Sequence, residues 1–133
     1  MRHILWPLAL LSVMTASASS AADRAVHGGL YDSVRVSAVT GDQGGVRIRV
    51  NDGASPTVDF ELCEGWCNGS EVFPAKIDGD RITFTYLSRW VSEGGRPGAD
   101  SISVSGRFVR DGLMLKIGDV PPELVRRAKS RPH

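Results

Sequence analysis

Cys63 and Cys67 are the only thiols in the chain, and they stand four residues apart in Cys63-Glu64-Gly65-Trp66-Cys67. A redox dithiol normally has two residues between its sulfurs, not three. A c-type haem attachment needs a histidine after the second cysteine, where this chain has Asn68. A zinc or copper centre built on both thiolates would need two further ligands. Outside the first 22 residues the only histidines are His27 and His133, near opposite ends of the chain. What remains is a disulfide, the usual fate of close cysteines in an oxidising compartment. Closing so small a ring is worth about 2 kcal/mol on the chain-entropy model, and Gly65 supplies the bend the ring requires. The expectation is a structural Cys63–Cys67 bridge with no metal and no cofactor.

No other constellation has the pattern of a catalytic site. An imidazole acting as a base must be held by its surroundings, yet His27 precedes a Gly-Gly pair and His133 is the last residue. Asp59, Glu61 and Glu64 offer carboxylates for glycoside hydrolysis, but a structural role fits Asp59 and Glu61 better, as strand pairing explains below. Gly94-Gly95 does not lead from a strand into a helix, the setting a phosphate-cradling loop needs. The residues best suited to contact a partner are Trp66, at the tip of the cysteine ring, and Arg89-Trp90. Tryptophan and arginine are enriched where proteins dock, and an indole on a cross-linked loop would lose little entropy on binding.

The start of the chain reads as a secretory signal, residues 1–22. Arg2 and His3 give a positive n-region, Ile4 to Met14 an apolar run, and residues 15–22 a stretch of small side chains. Cleavage is expected after Ala21 or Ala22. The apolar run is too short to span a bilayer, which takes roughly 20 residues, so no membrane-spanning segment is expected. Removing the leader leaves 111 residues, the size of one domain. The whole chain carries 16 Lys and Arg against 15 Asp and Glu. The balance is uneven along it, because Arg126, Arg127, Lys129 and Arg131 crowd the last ten residues and leave 23–123 acidic. An acidic body makes nucleic acid an unsuitable partner, since phosphate contacts need clustered Lys and Arg. The basic tail offers at most a weak contact to an anionic surface.

The elements that must position these residues are strands. Val34, Val36 and Ala38 alternate with Arg35 and Ser37, and Val46, Ile48 and Val50 alternate with Arg47 and Arg49. Val58, Phe60 and Leu62 alternate with Asp59 and Glu61 in the same way. If the second and third of these strands pair so that Ile48 faces Phe60, Arg49 falls opposite Asp59 and Arg47 opposite Glu61. Apolar side chains then meet on one face and opposite charges on the other, each pair being worth a few tenths of a kcal/mol up to about 1. Val72 to Ile77 reads as a strand broken, or placed at an edge, by Pro74. Asp78-Gly79 and Asp111-Gly112 read as tight turns, and Ser92 to Asp100 as a mobile loop. Ile82 to Tyr86, Ile102 to Phe108 and Leu113 to Ile117 complete about seven strands. Pro121-Pro122 then open a short helix, Glu123 to Lys129, with Asp119 as its N-cap.

The expected fold is all-β: one antiparallel domain over 23–120, a small barrel or sandwich, followed by a basic helix and tail over 121–133. The expected role is an exported, periplasmic or extracellular, non-catalytic module binding a protein, a glycan or a small apolar ligand. Two alternatives are a small redox or hydrolytic envelope protein using Cys63 and Cys67, and a structural subunit docking through a free strand edge. Expression with the leader, followed by intact-mass analysis of the exported product, is expected to give a chain beginning at Ala22 or Asp23. A full-length product retained in the cell contradicts the signal.

Overall fold

The computed structural model describes residues 27–129, so the leader, its cleavage site at Ala21 or Ala22, Arg131 and His133 lie outside the described residues. The described chain is all strand and turn: β1 (Gly29–Asp32), β2 (Arg35–Val36), β3 (Gln43–Asn51), β4 (Thr57–Gly65), β5 (Glu71–Asp78), β6 (Arg81–Val91), β7 (Pro97–Val109), β8 (Gly112–Ile117) and β9 (Glu123–Arg127). β3 to β9 form an antiparallel meander, and β1 pairs with both β3 and β9. That double pairing closes eight strands into a barrel, with the two-residue β2 appended to β3. The choice between barrel and sandwich is thus decided for the barrel, with more strands than the seven expected.

The pairing of β3 with β4 is the one the charge pattern predicts. Ile48 faces Phe60, Arg47 faces Glu61 and Arg49 faces Asp59. The inner row buries Val46, Ile48, Val50, Val58 and Phe60, and opposite them Ile82, Val104, Leu113 and Leu115 lie at most 1% exposed. Phe60 packs edge-on against Phe84 and Tyr86, with ring centroids 5.3 and 4.9 Å away. An eight-stranded barrel is just wide enough for side chains to fill, and here they fill it. Together they form the hydrophobic core of the described residues.

Several expectations need correction. The C-terminal helix over Glu123 to Lys129 does not form. The same residues make β9, whose Val125 is fully buried in the core cluster. Without β9 the edges of β8 and β1 would leave backbone N–H and C=O groups unpaired, a cost that outweighs local helix preference. The N-cap assigned to Asp119 falls away with the helix, and the domain runs on past residue 120. The strand expected at Val34 to Ala38 shrinks to β2, where Val36 is 63% exposed; the barrel strand is the earlier Gly29–Asp32, anchored by the buried Tyr31. Residues 97–100, expected in the mobile loop, belong to β7 and pair with Ser88 to Val91 of β6. Both tight turns sit one residue away from their expected places, at Gly79-Asp80 and Arg110-Asp111, because the apolar pairs Ile77–Ile82 and Phe108–Leu113 fix the register.

Pro74 does not break β5; it stands at a local edge inside the sheet, with β4 on one side and no ladder on the other, and divides the strand. Residues 71–74 pair with β4, and residues 75–78 pair with β6. The Ala75 N–H donates to the Pro56 carbonyl on the β4 side at 3.0 Å. The neighbouring Pro74 nitrogen therefore faces β6, and it has no hydrogen to donate. The β5–β6 ladder stops there.

At the end of the barrel that carries the Asp52–Pro56 turn, the Tyr31 hydroxyl donates to the His27 carbonyl at 2.8 Å. The His27 ring stacks on Phe108, and Arg127 lies over the Tyr31 ring. Burial pushes the Tyr31 hydroxyl above the ordinary tyrosine value; Arg127 opposes the shift and Asp52 adds to it. An unfolded chain loses this proton first, so the stability that Tyr31 contributes is fully present below pH 10.0 and is lost as the pH rises through the higher folded value. In thermal melts, Tyr31→Phe is expected to cost about 1 kcal/mol at neutral pH through the lost hydrogen bond and to fall less steeply than wild type above pH 10. Truncation before Glu123 is expected to abolish cooperative unfolding, and Leu113→Ala to cost about 2–5 kcal/mol by chemical denaturation. A truncated chain that melts like wild type would mean that β9 is dispensable.

Candidate functional site

β4 delivers Glu61 and Cys63 to the same face, two residues apart, because side chains alternate along a strand. Gly65 then takes φ = 89°, a conformation open to glycine and costly for other residues, and turns the chain back on itself. Cys67 returns opposite Cys63, with a Cα separation of 4.4 Å, and the two sulfurs are bonded. The Glu64 N–H closes the turn by donating to the Trp66 carbonyl. The bridge expected from the sequence is therefore present, with Trp66 on the ring at 67% exposure.

The ring brings in a third group. A carboxylate oxygen of Glu61 and the two sulfurs lie within 4.8 Å of one another, and both Glu61 and Cys63 are buried. Arg47 balances the Glu61 charge at 3.4 Å while it holds Asp32 at 3.1 Å. The sequence marks this carboxylate as a strand-pairing partner and as a candidate for glycoside hydrolysis, not as a neighbour of the cysteines. The signal for its second association was its position two residues before Cys63 on one strand.

Beyond the ring, Asn68 to Ser70 descend irregularly to β5, and β6 rises past the end of the β5–β6 ladder. The space between them is a cleft of about 300 Å3. Phe60, Leu62, Tyr86 and Leu87 line it with apolar and aromatic surface, and Asn68, Ser70, Glu71 and Arg89 with polar groups. Arg89 donates to Glu71 across the opening at 2.7 Å. This bond and the adjacent carboxylate raise the Arg89 pKa further, so the guanidinium stays charged. A smaller hollow of about 220 Å3, bordered by Val46, Leu115, Ile117 and Val120, shares Leu62 with the cleft.

Of the three residues expected to form a partner surface, Arg89 alone lines the cleft. Trp66 stands on the ring two residues before Asn68. Trp90 lies on the part of the β6–β7 ribbon that extends past β8, where its Nε1–H donates to Asp100 at 3.1 Å and its indole covers Gly98. The three are not gathered into one patch around a single pocket. Nothing local in the sequence marks Tyr86 and Leu87 for a site, and Asn68 stands out there only as the residue where a haem attachment would need histidine. They meet because of where β5 stops pairing.

The basic tail as far as Lys129 is likewise structured. Arg126 and Lys129, with Arg110 of the β7–β8 turn, border a hollow of about 550 Å3 at the opposite end of the barrel. Arg127 lines the same hollow and donates to the Gly28 carbonyl. Comparison with protein-family models, curated proteins and solved structures gives no match for this chain.

A Cβ on residue 98 would collide with the Trp90 indole. Gly98→Ala is therefore expected to eject the ring, shift tryptophan emission to the red and cost about 1–3 kcal/mol, read by fluorescence-monitored denaturation. Unchanged emission would show that Trp90 does not rest on Gly98.

Proposed function

We propose that the mature chain is an exported, non-catalytic module that holds a stretch of glycan in the cleft between upper β6 and the Cys67–Ser70 segment. The observation that carries this reading is the mixed lining of the cleft: aromatic and aliphatic side chains beside an amide, a hydroxyl, a carboxylate and a guanidinium in one open space. A sugar ring has an apolar C–H face and a rim of hydroxyls, so it engages both kinds of surface. A wholly apolar ligand in the cleft would desolvate Asn68, Ser70, Glu71 and Arg89 without repaying their hydrogen bonds. The disulfide suits a chain that works in an oxidising compartment. At the far end, Arg110, Arg126 and Lys129 suit a weak contact with an anionic envelope surface.

A second reading is a structural subunit that accepts a strand from a partner protein. It is favoured by the backbone of β6 from Thr85 to Val91, which has no ladder on its β5 side and could receive one by strand addition.

Amide spectra of the isotope-labelled mature protein, titrated with a panel of soluble oligosaccharides that includes the tetramer of N-acetylglucosamine, test the first reading. The expected shifts fall on Asn68 to Glu71 and Leu87 to Arg89. They are lost in Arg89→Ala, which keeps the wild-type melting curve because an exposed ion pair contributes little to stability. A panel in which no oligosaccharide moves these amides, or in which Arg89→Ala responds like wild type, rejects glycan binding at the cleft.

A further inference from the structure

The oxidised ring conceals a ligand set. We propose that when the Cys63–Cys67 disulfide is reduced, Glu61, Cys63 and Cys67 form a site for a thiophilic divalent cation of the zinc class. The inference does not depend on glycan binding, since it concerns the outer face of β4 and the ring.

Three observations carry it. The donor atoms are already together, the carboxylate oxygen and both sulfurs lying within 4.8 Å of one another. Two features besides the S–S bond gather them. Strand alternation places Glu61 beside Cys63, and the positive-φ turn at Gly65 with the Glu64-to-Trp66 backbone hydrogen bond returns Cys67. A cation also stands beside the site. Two thiolates and one carboxylate around a divalent ion leave one negative charge, which the Arg47 guanidinium, shared between Glu61 and Asp32, offsets in part. Arg47 can release Glu61 to the metal without losing its own partner, because Asp32 holds it at the shorter distance. Two sulfurs and one oxygen match a borderline-soft ion, and a fourth tetrahedral position is left for water or an added ligand.

The redox step balances with a dithiol reductant. The reductant gives two electrons and two protons to the Cys63–Cys67 bond and is itself closed to a disulfide; the protein gains two thiols. Metal binding then expels the two thiol protons to solvent. Reoxidation by a disulfide, which takes up the two electrons with two protons from solvent and opens to two thiols, restores the Cys63–Cys67 bond and releases the ion, so the site couples metal affinity to thiol state.

Cobalt(II) is the probe, because thiolate coordination gives it a near-ultraviolet charge-transfer band. The mature protein, reduced with a phosphine and kept free of oxygen, is expected to bind one cobalt per chain with that band and to lose it when zinc is added. The oxidised protein is expected to show no band. Glu61→Gln is expected to weaken binding by about tenfold or more while the oxidised variant melts like wild type, and Cys67→Ser to lose the two-thiolate band. Circular dichroism of the reduced chain accompanies each titration. If reduction unfolds the barrel, the proposal requires metal to restore the β signal, and failure to restore it counts against the site. No band in the reduced wild-type protein overturns the proposal, as does a Glu61→Gln affinity equal to wild type, which would remove the carboxylate from the ligand set.

Discussion

Closure of the sheet by β1 is the constraint on which the rest of this structure depends. A strand edge exposes a row of N–H and C=O groups, and leaving them dry and unpaired costs more than most local preferences can offset. β1 settles two such edges at once, meeting β3 along Gly29 to Asp32 and β9 at Tyr31 and Asp32. Once the ring is shut, alternation sends Val46, Ile48, Phe60, Ile82, Leu113 and Val125 to the inside. Arg47 and Glu61 are sent to the outer face by the same rule. Closure also accounts for β9 being a strand, since β8 and β1 both need it.

The candidate site arises where that pairing is incomplete. Pro74 cannot donate toward β6, so the ladder ends at Ala75–Phe84, and β6 continues upward with a free edge. The chain between Cys67 and Glu71 passes nearby without forming a strand, held at its upper end by the disulfide. One missing backbone hydrogen and one covalent bond thus set the two walls of the cleft. The Arg89–Glu71 ion pair spans it in solvent, where screening makes such a pair a weak structural element and leaves both groups available to a ligand.

The middle of the barrel is packed by the core side chains, and the hollows open at its ends. Its usable chemistry lies on the rim and the outer face: the mixed cleft, the Glu61–Cys63–Cys67 group and the cationic border of Arg110, Arg126 and Lys129. The first two adjoin the disulfide ring, and the third lies at the other end of the molecule. An acidic body with a basic border reflects strand placement, since β9 carries Arg126 and Arg127 to the rim directly after the buried Val125.

Period-two alternation and the sign of the charges between its apolar residues were enough to determine the all-β class and the Ile48–Phe60 register with its Arg47–Glu61 pair, and the close spacing of the two cysteines was enough for the Cys63–Cys67 bridge. All of these are contacts between near neighbours in sequence, and their side chains carry the information. Whether the sheet closes, that 123–127 is a strand, and that Asn68, Glu71, Tyr86 and Arg89 share a cleft depend on partners far along the chain. Local propensity at Pro121-Pro122 and Glu123 pointed to a helix because it holds no record of the unpaired edges of β8 and β1. Only the folded sheet, in which each edge must find a partner or go without, decided those features.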